Sequence, residues 1–169
     1  MFTLDKAMQL LKLAEREYPS LKDEEIHIKT TGIFSAEIGL FYNVVTISES
    51  ERSRFKEYAV RYFKDYEDLR DVDYMFYDFE ECFAFLHELG HIYYKDMNAG
   101  EEIHYTNYKE KIYNSHYQAF KEYRNIPTEK LADQFALIVI RNRLNMIYSI
   151  MNEQPLEDAI EEVKFWSVV

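Results

Sequence analysis

The sequence predicts an α+β domain, mostly helical, with a small antiparallel or mixed sheet preceding one unusually apolar helix. Three observations predict it. Apolar residues recur at helical spacing through long stretches of the chain, while period-two alternation is confined to residues 26–47. Only 4 Gly and 3 Pro occur in 169 residues, and few Gly suits long helices. Hydrophobic residues make up 47% and charged residues 30%, enough for one buried core in a single domain spanning 1–169.

The elements follow in order. Residues 3–18 read as an amphipathic helix, with Leu4, Ala7, Met8, Leu11 and Ala14 on one face and Pro19 after its end. Ile26 and Ile28 alternate with His27 and Lys29, as in a half-buried strand. Ile38 with Leu40, and Val45 with Ile47, repeat the pattern, and Tyr42-Asn43 supplies a weak turn signal between them. Three short strands in an antiparallel arrangement are the simplest reading, with residues 44–48 as an edge open to an extended substrate. Ser48 and Glu51 fit a capping box that opens a helix over 48–66. An acidic, aromatic connection follows over 67–78. The next helix, 79–95, is apolar on most of its circumference and therefore buried. A loop over 96–102, a polar helix over 107–124, a long helix from Pro127 to about 151 and a short one over 155–165 complete the chain.

Charge and cysteine usage exclude several classes of function. Acidic residues outnumber basic ones by 31 to 20, for a formal charge of -11, and such a surface repels phosphate backbones. Direct nucleic-acid binding is not expected. Cys82 is the single cysteine, so no internal disulfide forms, and it reads as a core thiol. No apolar run approaches the roughly 20 residues that span a bilayer. Asp5, Lys6 and Gln9 break up the N-terminus as a signal peptide. A cytoplasmic protein without membrane contact is the expectation.

The apolar helix carries His87-Glu88-Leu89-Gly90-His91, an HExxH motif. Residues four apart share a helix face, so both imidazoles can hold one Zn²⁺. Glu88, about 100° round the helix, can instead reach a water at the metal and act as its general base. A third ligand is needed. The HExxHxxGxxH continuation is closed, because positions 94 and 97 are Tyr and Met. His104, His116 and acidic residues remain downstream. Among these, Glu129 and Asp133 form the only ExxxD pair after the histidines. Glu129 can complete the ligand set, and Asp133 can accept a hydrogen bond from the far nitrogen of a zinc histidine. Small Ala132 and Ala136 beside that face would let this helix approach the histidine helix closely.

HELGH, followed 38 residues later by Glu129-Lys-Leu-Ala-Asp-Gln-Phe-Ala136, resembles the ImmA/IrrE family of zinc metallopeptidases, whose second helix carries E-x-x-A-[ND]-x-F-A. The resemblance covers about residues 79–141. It implies a zincin-like fold, zinc on His87, His91 and Glu129, and Glu88 as catalytic base. It also implies intracellular hydrolysis of a protein substrate, often a DNA-binding repressor encoded near the peptidase gene. A donor for the reaction's oxyanion would come from His104, Tyr113, His116 or Tyr117, with His116 and Tyr117 nearest the third-ligand helix. The alternative is a catalytically silent, metal-bearing module that captures a regulatory partner. The sequence leaves the oligomeric state open.

Overall fold

The computed structural model describes residues 2–30, 35–39, 41–47, 79–97 and 125–166. The expected helices over 48–66 and 107–124, the connection over 67–78 and most of the loop over 96–102 lie outside them. The described residues form an α+β fold, mostly helical with a three-stranded mixed sheet. In order these are α1 (Leu4–Glu17), β1 (Ile26–Lys29), β2 (Ser35–Ile38), β3 (Asn43–Thr46), α2 (Phe79–Tyr93), α3 (Pro127–Asn152) and α4 (Leu156–Trp166). Short 3-10 turns follow α1 at Pro19–Asp23 and α2 at Lys95–Met97.

Thr3 caps α1, its hydroxyl accepting from the Lys6 N–H at 3.3 Å. Ala7, Leu10, Leu11, Leu13 and Ala14 are buried, while Leu4 and Met8 are 41% and 43% exposed, so the buried face is rotated from the expected stripe. Lys6 explains the rotation. It is buried and donates Nζ to the carbonyl of Met151 at 2.9 Å, with Glu153 Oε1 at 3.0 Å. A cation from α1 thus satisfies a carbonyl in the last turn of α3, where the helix dipole favours positive charge. Glu153 ends that helix in the left-handed region, at φ 56°. Farther up α3, Glu17 binds Asn142 and Arg143. Arg143 itself interrupts the helical backbone with φ −128° and ψ 20°.

The sheet corrects two expectations. Its order is β1-β3-β2, with β1 parallel to β3 and β2 antiparallel to it. The strands are therefore mixed rather than all antiparallel. The segment expected at the edge is β3, and it is the central strand, paired along both sides. All four of its residues are buried, and consecutive Val44 and Val45 are what a strand covered on both faces carries. β1 keeps its alternation, with Ile26 and Ile28 half-buried and His27 and Lys29 exposed.

Asn43, expected in the turn between β2 and β3, is already the first residue of β3. It pairs with Ile38 of β2. A Cβ at Gly39 would collide with the Tyr42 carbonyl oxygen. Gly39→Ala is expected to cost about 1–3 kcal/mol, the range for forced overpacking, read as a lower urea midpoint. An unchanged midpoint would show that the turn opens freely. Glu24 then ties the sheet to the 3-10 turn after α2, accepting from Asn43 Nδ2 at 3.0 Å and pairing with Lys95.

The core lies where α2 meets α3 and α1. Cys82, Phe83, Phe85, Leu86, Leu89 and Ile92 of α2 are all buried, as the apolar circumference required. Phe135, Val139 and Ile140 of α3 face them from the other side of the core. Cys82 is fully enclosed, and burial, with the nearby Glu81 charge, pushes its thiol pKa far up, as suits a packed thiol. No helix among the described residues is long and apolar enough to cross a membrane.

Candidate metal centre

Two helices supply the polar groups in this apolar surround. α2 extends without interruption through Phe79–Tyr93, so His87 and His91 are one turn apart on one face. α3 starts at Pro127, whose fixed φ and missing N–H suit a first helical position. Glu129 therefore sits in the first turn of α3 and Asp133 one turn on, facing the histidines.

The geometry brings together four of the residues singled out in the sequence. His87 Nε2 lies 3.2 Å from Glu129 Oε2, and His91 Nε2 lies 3.4 Å from Glu129 Oε1. The two Nε2 atoms are 3.0 Å apart. One ligand atom from each of His87, His91 and Glu129 falls within 4.8 Å of the others. Behind them, His87 Nδ1 is 3.0 Å from Asp133 Oδ1. That contact assigns a proton to Nδ1, because a carboxylate can only accept, and turns Nε2 toward Glu129 and His91.

Burial sharpens what this arrangement can do. Glu129 is 0% exposed, Asp133 1% and His87 5%; His91 is partly open. Burial pushes the Glu129 carboxyl pKa up, but hydrogen bonds and charge from His87 and His91 outweigh it and hold the carboxyl well below its ordinary value of 4.5. The group is thus an anion at neutral pH. Two imidazole nitrogens at 3.0 Å with lone pairs converging repel unless a proton or a cation lies between them. A tetrahedral ion with bonds of about 2.0–2.1 Å has ligand–ligand edges of about 3.3 Å. The nitrogens, 3.0 Å apart, and their distances of 3.2 and 3.4 Å to the two separate Glu129 oxygens are of that order. Two imidazoles and a carboxylate are also a donor set that suits zinc. The residues therefore fit a divalent metal, and the His87-His91-Glu129 group could hold one.

The other expected residues fall differently. Glu88 is half-buried on α2, next to His87 in sequence but on the neighbouring helix face. His104, Tyr113, His116 and Tyr117, the candidate oxyanion donors, lie outside the described residues. His27 is exposed on β1, 3.0 Å from Glu25. One neighbour escaped the sequence reading: Phe83, a turn before His87, lays its ring nearly parallel to the imidazole at a tilt of 21° and 6.4 Å. Its i−4 place on the histidine face was the available signal.

Asp133→Ala is expected to weaken metal binding about 10–100-fold with the fold retained, since carboxylates that orient metal histidines have that effect. Competition against a chromogenic chelator measures it. Unchanged affinity would show that the Nδ1 contact does nothing for the site.

Searches of protein-family models, of curated proteins and of solved structures found no match to this chain.

Proposed function

We propose that this chain is a zinc-dependent peptidase with a zincin-like fold, related to the ImmA/IrrE family. The observation that carries the proposal is the convergence of His87, His91 and Glu129 from two helices, with Asp133 behind His87. Glu129 comes from a helix 38 residues beyond the motif, so HExxH here is part of a three-dimensional ligand set rather than a chance string.

His87, His91 and Glu129 would hold the ion, with Asp133 fixing the ring of His87. When bound, zinc supplies Lewis acidity and lowers the pKa of water toward neutrality. Glu88 is placed for the proton work. It follows His87 directly but projects about 100° away from the ligand face, so it is free of metal ligation. Its carboxylate takes a proton from the attacking water and passes it to the departing amine nitrogen. The inner ends of the ligands are dry, which strengthens the electrostatics of the site, while partly open His91 and Glu88 mark the side from which a substrate enters.

The substrate we propose is an intracellular protein. A helix-turn-helix repressor is the class that the family resemblance implies, and the resemblance alone supports it. Purified protein, metal-loaded or treated with chelator, is to be incubated with candidate repressors and read by intact-mass spectrometry. Chelator-sensitive fragments support the peptidase. A repressor that co-purifies uncut with metal-loaded protein would favour the capture module instead.

A further inference from the structure

We infer that Gly90 is a positioning residue of the metal centre: its missing side chain sets the separation of α2 and α3 at which His87, His91 and Glu129 fit one cation. The inference rests on the metal-site reading above. Gly90 stands between the two histidines on α2, three residues after His87 and one before His91. Its contact on α3 is Ala132, which stands between Glu129 and Asp133 in the same way. This contact between the two helices is therefore flanked by His87 and His91 on α2 and by Glu129 and Asp133 on α3.

A Cβ at Gly90 would lie 2.8 Å from Ala132 Cα, 3.0 Å from Ala132 O and 3.1 Å from Phe135 Cβ. Two of these atoms are backbone, and no rotamer moves them. Phe135 is held as well, its ring stacked on Tyr18 at 4.3 Å and against Tyr93 at 5.5 Å. The helices themselves must give way. Carbon atoms settle at about 3.5 Å or more, so the crossing would open by about 0.7 Å. Metal sites tolerate ligand displacements of about 0.2 Å. The ligands sit within three residues of the contact, about 4.5 Å of helical rise, so most of the opening reaches them. Glu129, at 0% exposure, has no room to swing after the histidines. The close-packed interior transmits the shift rather than absorbing it.

The test is titration of metal-free wild type, Gly90→Ala and Leu10→Ala with Co²⁺, a visible stand-in for zinc, alongside urea unfolding of each. Leu10 is a fully buried residue of α1 outside the ligand set, so its truncation controls for general destabilisation. Wild type is expected to show the intense visible bands of a four-coordinate ion. Gly90→Ala should bind at least tenfold more weakly, with bands faded toward those of a water-rich, higher-coordinate ion. Leu10→Ala should keep the wild-type affinity and spectrum. Wild-type affinity and bands in Gly90→Ala would overturn the inference and leave the metal site standing. Equal weakening in Leu10→Ala would overturn it too, by assigning the loss to stability alone. A wild type that takes up no Co²⁺ or Zn²⁺ would remove the metal-site reading, and the inference with it. If Gly90→Ala does not fold, Ala132→Val, which adds bulk at the same crossing from α3, takes its place with the same outcomes.

Discussion

Glu129→Ala is expected to empty the metal centre. A zinc site worth about 10–16 kcal/mol over four ligands assigns roughly 3 kcal/mol to each, or about a hundredfold in affinity. The loss should exceed that here. The carboxylate touches both imidazoles, at 3.2 and 3.4 Å, so its removal also takes away the charge that balances the cation. A pair of imidazole nitrogens 3.0 Å apart would remain in an apolar enclosure. Metal content after gel filtration, by mass spectrometry of the elements, reads the outcome. Full occupancy in Glu129→Ala would show that the third ligand is another residue, and the peptidase proposal would need a new ligand set.

The second large effect separates binding from chemistry. Glu88→Gln is expected to retain near-stoichiometric metal while hydrolysis falls by about 10²–10⁴-fold, the usual contribution of a positioned acid or base. The exchange is nearly isosteric, and Glu88 is half-buried outside the ligand set, so stability should move little. The pair of variants forms a crossed design. Glu129→Ala loses metal and activity together, whereas Glu88→Gln loses activity alone. Cleavage by Glu88→Gln at the wild-type rate would assign the proton transfer to another group, and cleavage by neither wild type nor variant of any candidate would support the capture module.

Much of the centre was legible in the chain because its grammar is local. His87 and His91 declare a shared face through a spacing of four on a helix whose length is plain from its apolar residues. Glu129 and Asp133 repeat that spacing on a helix whose start Pro127 marks. What failed to show was whatever depends on a distant partner. Leu4 and Met8 fit the apolar stripe of α1, yet Lys6 turns the helix because Met151 and Glu153 receive its cation from 145 or more residues away. The central position of β3 was hinted at by Val44-Val45, but the parallel partnership with β1 is a property of the whole sheet. Gly90 reads as a weak point in a helix by propensity, and only the placement of Ala132 across from it reveals the reason for it.

The anchoring of α3 by Lys6 and Glu17 has a bearing on how small the working unit can be. Glu129 and Met151 are about 33 Å apart if the rise of a straight helix is followed, and the kink at Arg143 breaks that rod in two. Each piece is pinned by the first helix of the chain, at Asn142 and Arg143 and again at Met151. A fragment trimmed to the two motif-bearing helices would keep every proposed ligand and lose the helix that anchors α3. The opening seventeen residues, which carry no motif, are in this sense part of the smallest unit that holds α3 in place.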